Sequence, residues 1–123
     1  MIGININDKT QPFTRQIIAG CKTVETRGSP SLRPYVGKRV GIVRTGCGRA
    51  CVVAYADIVS ELAYTSARAF KRDFRRHRVS QDSKFSKTSG YGYVLANVCP
   101  VEPIPVTTLG IVARKIPGEV HQG

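Results

Sequence analysis

The chain has no tryptophan, one methionine, two histidines and only 8 acidic residues, and it contains no long apolar run. Each of these shortages excludes something. A membrane-crossing helix needs about 18 consecutive apolar residues, and no stretch approaches that. Met1 to Asp8 lacks the positive start and long apolar run of a secretory signal, so a cytoplasmic, non-secreted protein is expected. No lipidation signal or amphipathic anchor argues for a membrane partner. Among Cys21, Cys47, Cys51 and Cys99 only Cys47 and Cys51 are close, and His77 and His121 are too scattered to complete a zinc site; no metal and no cofactor is expected. The four cysteines are expected to stay reduced. Gly46-Cys47-Gly48 lacks the Lys-Ser/Thr and following helix of a phosphate loop. No Ser/His/Asp set can be assembled either, because His121 sits in the tail and His77 ends a basic stretch.

What the chain does have is ordinary core material and an unusual charge. Apolar residues make up 41% of 123 residues, enough for one domain and too few for two cores. Residues 1–117 are read as that domain and 118–123 as a flexible tail. Nineteen Lys and Arg against 8 Asp and Glu give a net charge of +11, and 12 of the 19 are Arg. Such an excess repels itself unless a polyanion offsets it, and guanidinium groups fork onto phosphates and stack on bases. RNA or another single-stranded nucleic acid is the expected partner.

Along the chain, Ile2, Ile4 and Ile6 alternate with small or polar residues, the period of a half-buried strand. Pro12 opens a helix of about two turns, with Phe13, Ile17 and Ile18 at helical spacing and Gly20 as its stop. Lys22 to Arg27 reads as extended, with ionic groups on both faces. A Gly, Ser and Pro linker spans Gly28 to Gly37. Strands over Lys38 to Arg44 and Arg49 to Val59 are joined by a hairpin turn at Thr45 to Gly48. Thr65 or Ser66 caps a helix to about Arg78, with Ala67, Phe70 and Phe74 on one face and basic residues on the other. A Ser, Lys and Gly segment from Ser80 leads to a strand from Tyr91 to Cys99, and Leu109 to Ile116 is read as the last strand. Strands outnumber helices, so the fold class expected is α+β, a small mixed or antiparallel β-barrel with two main helices at its edge.

Gln11-Pro12, Ile17 and the run Gly20-Cys21-Lys22-Thr23-Val24-Glu25-Thr26-Arg27 resemble the signature of ASCH domains, a branch of the PUA-like β-barrel superfamily, in which Gly-x-Lys-x-x-Glu-x-Arg follows a short helix. The strand from Gly48 to Ile58 agrees, as does Tyr91 to Val98 followed by a proline-bearing exit, Glu102-Pro103-Ile104-Pro105. The resemblance spans about Gln11 to Ile116. It implies a barrel with a cleft beside the helix-to-strand motif, and RNA binding or modified-nucleoside chemistry. Some members remove the acetyl group of N4-acetylcytidine and others are linked to RNA cleavage. Those deacetylases use a Lys, a Thr three residues later and a distal acid. Lys22 fills the first place, Glu25 stands at the second, and Asp73 is the best candidate for the third, with Glu61 its rival.

Two main readings follow. In the first, the chain is a binding module: Lys22 and Arg27 hold a base or ribose, while Arg68, Lys71, Arg72, Arg75, Arg76 and Arg78 of the basic helix grip phosphates. Arg44, Lys84 and Lys87 extend that track, and Tyr91 or Tyr93 offers a stacking plane, unless their rings are barrel core. In the second, it is a hydrolase of a modified nucleoside, or a ribonuclease, with Lys22, Glu25 and Asp73 catalytic. Glu25 pairing with Lys22 or Arg27 merely to hold barrel to helix is the competing structural account; Lys22 and Glu25 have opposite strand parity, so their contact needs a bend. A protein-binding regulator is a third reading.

Overall fold

The alternation at the start of the chain does what its period demands. In the computed structural model, which describes residues 1–80 and 90–119, Ile4 and Ile6 are buried in strand β1 (Ile2–Asn7) while Asn7 faces solvent. Helix α1 (Phe13–Ile18) follows, with Asp8 rather than its own N-cap tying down its start: the Thr14 N–H donates to Asp8 Oδ1 at 3.0 Å and the Thr14 hydroxyl to Oδ2. Strand β2 (Val24–Arg27), a 3₁₀ turn (Arg33–Tyr35), β3 (Arg39–Thr45) and β4 (Cys51–Tyr64) come next. Helices α2 (Ala67–Arg72) and α3 (Phe74–His77) precede β5 (Gly90–Pro105) and β6 (Ala113–Lys115).

The six strands form one mixed sheet in the order β2-β5-β4-β3-β1-β6. β1 and β3 are parallel, with Ile4 opposite Ile42, and the connection through α1 and β2 is long enough to return the chain in the same direction. The remaining pairs are antiparallel. The sheet curls until β2, at one end of the order, reaches β1: an Arg27 Nη2 group donates across to the Asn5 carbonyl at 2.6 Å. The result is a barrel-like α+β fold, with an open seam between β2 and β1.

Ile4, Ile17, Leu32, Val40, Ile42 and Tyr93 fill the barrel. On the outer face Val43, Val52, Tyr55 and Ile116 form a second cluster. Ile116 reaches it because Gly3 and Gly41 leave room; a Cβ on Gly41 would lie 2.3 Å from Ile116 Cδ1. No helix among the described residues is long and apolar enough to cross a membrane.

Three expectations need correcting. The helix read to Arg78 is capped by Ser66, whose hydroxyl accepts from the Ala69 N–H at 3.1 Å, but it breaks at Asp73 into α2 and α3. The break rotates the second half, so Phe74 is 40% exposed and His77 takes the buried place beside Phe70. The Asp73 carboxylate, drawn to the Tyr64 hydroxyl and to Arg76, fixes that bend. Secondly, β5 runs on through its prolines to Pro105, pairing with Cys51. Prolines fit there because β2 flanks β5 only over Tyr91 to Val94, leaving the later residues at an edge. Thirdly, the last strand is only Ala113 to Lys115, and Leu109 and Ile111 lie in the preceding loop, 92% and 97% exposed. At the end of the described chain, Glu119 is held by Arg39 at 2.7 Å; residues 120–123 lie outside the described residues.

Candidate nucleic-acid interface

Gly20, at a φ of 81°, turns the chain out of α1 and sends Cys21 to Thr23 past α3 before β2 begins. That bend brings Lys22 and Glu25 together despite their parity, with Nζ 3.5 Å from Oε1. Lys22 is buried, and its ammonium also donates to the Val24 carbonyl at 2.8 Å and the His77 carbonyl at 2.6 Å. Two N–H groups thus meet carbonyls while Glu25 stands in ion-pair range, and the cation lies 4.7 Å from the centre of the Phe13 ring. Burial pulls the Lys22 pKa below its usual value, and Glu25 pushes back in the opposite direction. Glu25 Oε2 in turn accepts from Arg27 Nη2 at 3.0 Å. The result is a chain of charge from the end of α3 through β2 to β1. Arg27 Nε is buried without a partner among the described residues.

These groups line an open cavity of about 650 Å³ that occupies the seam. Asn5 and Asn7 of β1 form one wall; Glu25, Thr26 and Arg27 of β2 form the other; Lys9, Gln11, Ile111 and Arg114 contribute to its rim. Four cations, Lys9, Lys22, Arg27 and Arg114, meet one acid, Glu25. Gln11 has a defined task here. Its amide donates to the Arg78 carbonyl at 3.1 Å and accepts from the Ser80 N–H at 2.9 Å, pinning the exit of α3 so that Val79 lines the cavity. Asn5 does the same for the 108–112 loop, donating to the carbonyls of Gly110 and Ile111 at 2.8 and 3.0 Å while its own oxygen accepts from Arg114 at 2.9 Å.

The α3 end of the site rests on His77. Its Nε2 donates to the Phe70 carbonyl at 2.6 Å, its Nδ1 accepts from the Val79 N–H at 2.9 Å, and the ring stacks on Phe70 at 4.1 Å. This is a neutral imidazole whose two nitrogens both have work as such. Burial holds its pKa below the usual value.

Of the site residues expected from sequence, Lys22, Glu25 and Arg27 converge. Asp73 does not join them. It accepts from the Tyr64 hydroxyl at 2.5 Å and from Arg76 at 2.7 Å in a separate cavity of about 330 Å³ that also takes in Arg72. Glu61 is also elsewhere, gripped by Arg33 and by the Tyr93 hydroxyl at 2.8 Å. Tyr93 itself is fully buried, so its ring is barrel core rather than a stacking plane, and burial beside Glu61 pushes its pKa up to about 12. Tyr91 is half-buried, with the Arg33 guanidinium 5.9 Å from its ring centre. Arg44 is half-buried in β3 and does not line the cavity. Arg68, Lys71, Arg72 and Arg75 are exposed, with no ion-pair partner among the described residues. Arg76 is taken up by Asp73, and Arg78 by the carbonyls of Cys21 and Arg75. Lys84 and Lys87 lie outside the described residues. Asn5, Lys9, Thr26 and Arg114 were not anticipated; only their strand placement, which brings chain ends far apart in sequence to one seam, marks them.

With this geometry in place, comparison with solved structures is decisive for the fold. An ASCH protein from Zymomonas mobilis, in a serine-to-alanine variant, superposes with a TM-score of 0.70 at 18% identity, covering 94% of this chain and 87% of that one. This chain has the ASCH fold. A second structure of ASCH from Zymomonas mobilis gives 0.64 at 21% identity over 85% and 73% of the two chains, and a tyrosine-to-phenylalanine variant gives 0.67 at 22% over 85% and 75%. No protein-family profile matches the sequence and no curated protein matches it. The ASCH likeness is therefore one of architecture, at about a fifth of identical residues.

Proposed function

We propose that the seam of this ASCH-fold barrel binds RNA or another single-stranded nucleic acid, taking one nucleotide into the cavity while the free cations of α2 and α3 hold neighbouring phosphates. The observation that carries this reading is the cavity itself. Its volume of about 650 Å³ is of the size that small-molecule sites have, and Lys9, Arg27 and Arg114 line it with one carboxylate, over a floor that holds the buried Lys22. Helix α3 meets the chain ahead of β2 through the Thr23 N–H to Arg76 carbonyl bond at 2.9 Å, and in this reading the exposed basic residues of α2 and α3 engage the phosphates that flank the bound nucleotide.

Binding is favoured over hydrolysis because the groups needed for a Lys-based mechanism are committed or absent from the cavity. Lys22 is fully buried, with two N–H groups on carbonyls and its charge paired with Glu25, and Asp73 belongs to another cavity. Titrating a labelled single-stranded RNA at several salt concentrations tests the proposal. The expected slope is about −0.7 logarithmic units per decade of salt for each phosphate neutralised. Affinity that ignores salt would overturn it. Incubation with N4-acetylcytidine is expected to leave that nucleoside intact, and release of cytidine would replace the binding reading with the hydrolytic one.

A further inference from the structure

The cavity exists because β2 has a neighbour on one side only. Val24 to Arg27 pair with β5, and the Leu95 N–H donates to the Thr23 carbonyl at 2.9 Å. In an antiparallel ladder the groups that exchange bonds alternate along the strand. With Thr23 turned toward β5, Glu25 and Arg27 follow, whereas Val24 and Thr26 direct their N–H and C=O groups away from β5 into the seam. The Val24 carbonyl bears out this parity, since Lys22 Nζ reaches it from outside the ladder at 2.8 Å. Nothing among the described residues plays that part for Thr26. By that parity its backbone N–H and carbonyl point out of the ladder toward a cavity that Thr26 lines, and outside the ladder neither has a hydrogen-bond partner among those residues.

An extended residue at a free strand edge offers one donor and one acceptor side by side, pointing the same way. That is the complement of the Watson–Crick edge of an unpaired nucleobase, where a donor and an acceptor also stand side by side. A second observation concerns the ring faces. Ile111 lines the same cavity although the residue is 97% exposed, and its loop is held by the Asn5 amide at 2.8 and 3.0 Å and by Arg114, which donates to the Thr108 carbonyl at 2.8 Å. A braced loop that presents a large aliphatic side chain to water beside a polar edge suits a flat apolar face.

We propose that the free peptide edge of Thr26 reads the Watson–Crick edge of an unpaired nucleobase, with Ile111 covering the face of its ring. The proposal rests on the cleft being a nucleotide site and adds which part of the nucleotide it recognises. Every base carries such a donor-acceptor pair, so the site selects unpaired over paired bases and does not choose among the four. In uracil, the Thr26 N–H donates to a ring carbonyl oxygen and the Thr26 carbonyl accepts from N3–H.

Three probes on the intact protein test it: uridine 5′-monophosphate, its N3-methyl derivative, and ribose 5-phosphate. Uridine monophosphate is expected to bind, and the N3-methyl derivative and ribose phosphate each to bind roughly tenfold or more weakly, because a lost hydrogen bond with an unpaired partner is worth about that factor. Amide hydrogen exchange supplies a readout free of mutation. The Thr26 amide is expected to exchange quickly in the free protein, while those of Glu25 and Arg27 are slow, and to slow on addition of uridine monophosphate. Thr26→Pro removes the outward N–H together with the side-chain hydroxyl, a change that edge strands tolerate, and is expected to lower affinity for uridine monophosphate but leave that for ribose phosphate unchanged, whereas Thr26→Val, which removes the hydroxyl alone, is expected to leave both unchanged. Equal binding of all three probes would overturn base reading while leaving salt-dependent RNA binding standing. Failure of RNA to bind at all would remove the cleft reading and this proposal with it. Slow Thr26 exchange in the free protein, or its protection by an acidic peptide and not by nucleotides, would overturn the edge assignment alone.

Discussion

The two sides of the barrel treat their polar groups in opposite ways. Across β3, β4 and β5 the backbone is laddered over long strands, and several ionic groups are paired off, Arg39 with Asp57 and Glu119 and Arg33 with Glu61. At the seam the strands are short and the order of the sheet ends. There one set of charges, Lys22, Glu25 and Arg27, is locked together, while on α2 and α3 a second set, Arg68, Lys71, Arg72 and Arg75, has no ion-pair partner among the described residues. Charges that close the structure and charges without an ion-pair partner are thus separate sets. The difference separates what a mutation does to folding from what it does to binding.

Lys22→Ala should have the largest effect. It leaves two carbonyls and a buried carboxylate without their cation, and loss of one partner of a buried pair costs about 3 kcal/mol or more. Urea unfolding should show that loss, and a change in stability below about 0.5 kcal/mol would mean that Lys22 is free to serve a ligand. A smaller effect is expected from pH through His77. Its folded-state pKa lies below the usual 6.5, so between those two values the unfolded chain binds more protons. Stability is therefore fully present above about pH 6.5 and falls as pH drops toward the folded value. Protonation would cost Nδ1 its bond from Val79 and set a second cation near Lys22 and Arg76, with Asp73 as partial relief. Unfolding midpoints at descending pH check this, and a His77→Gln chain should lose the dependence. The smallest effect on folding belongs to the quadruple change of Arg68, Lys71, Arg72 and Arg75 to Gln, expected to move stability by about 0.5 kcal/mol or less per site. The same variant should flatten the salt slope of RNA binding, by about 0.7 for each phosphate that the missing cations no longer neutralise.

Much of this comparison was legible in the residues, for reasons that can be named. Period-two isoleucines placed β1 and Gly20 placed the end of α1, because local rules govern both, whereas Lys22, Glu25 and Arg27 were marked by their likeness to the ASCH signature and meet only through a bend that strand parity alone does not supply. Asp73 escaped because its role comes from Tyr64, on a strand that ends before the helix begins. The seam escaped for a related reason: nothing local to Asn5, Thr26 or Arg114 tells that a curling sheet will leave them facing one another. Tyr93 could be read as surface or core until its hydroxyl was seen on Glu61. Local chemistry writes the elements, and the end of a strand order is a property of none of them.

The prolines of β5 have a further consequence. Where β5 outruns β2, a bare strand margin would invite a second molecule to dock along it and a third after that. Pro100, Pro103 and Pro105 remove the N–H groups such stacking would recruit. A chain with such a margin is thereby kept from zipping copy onto copy into fibres.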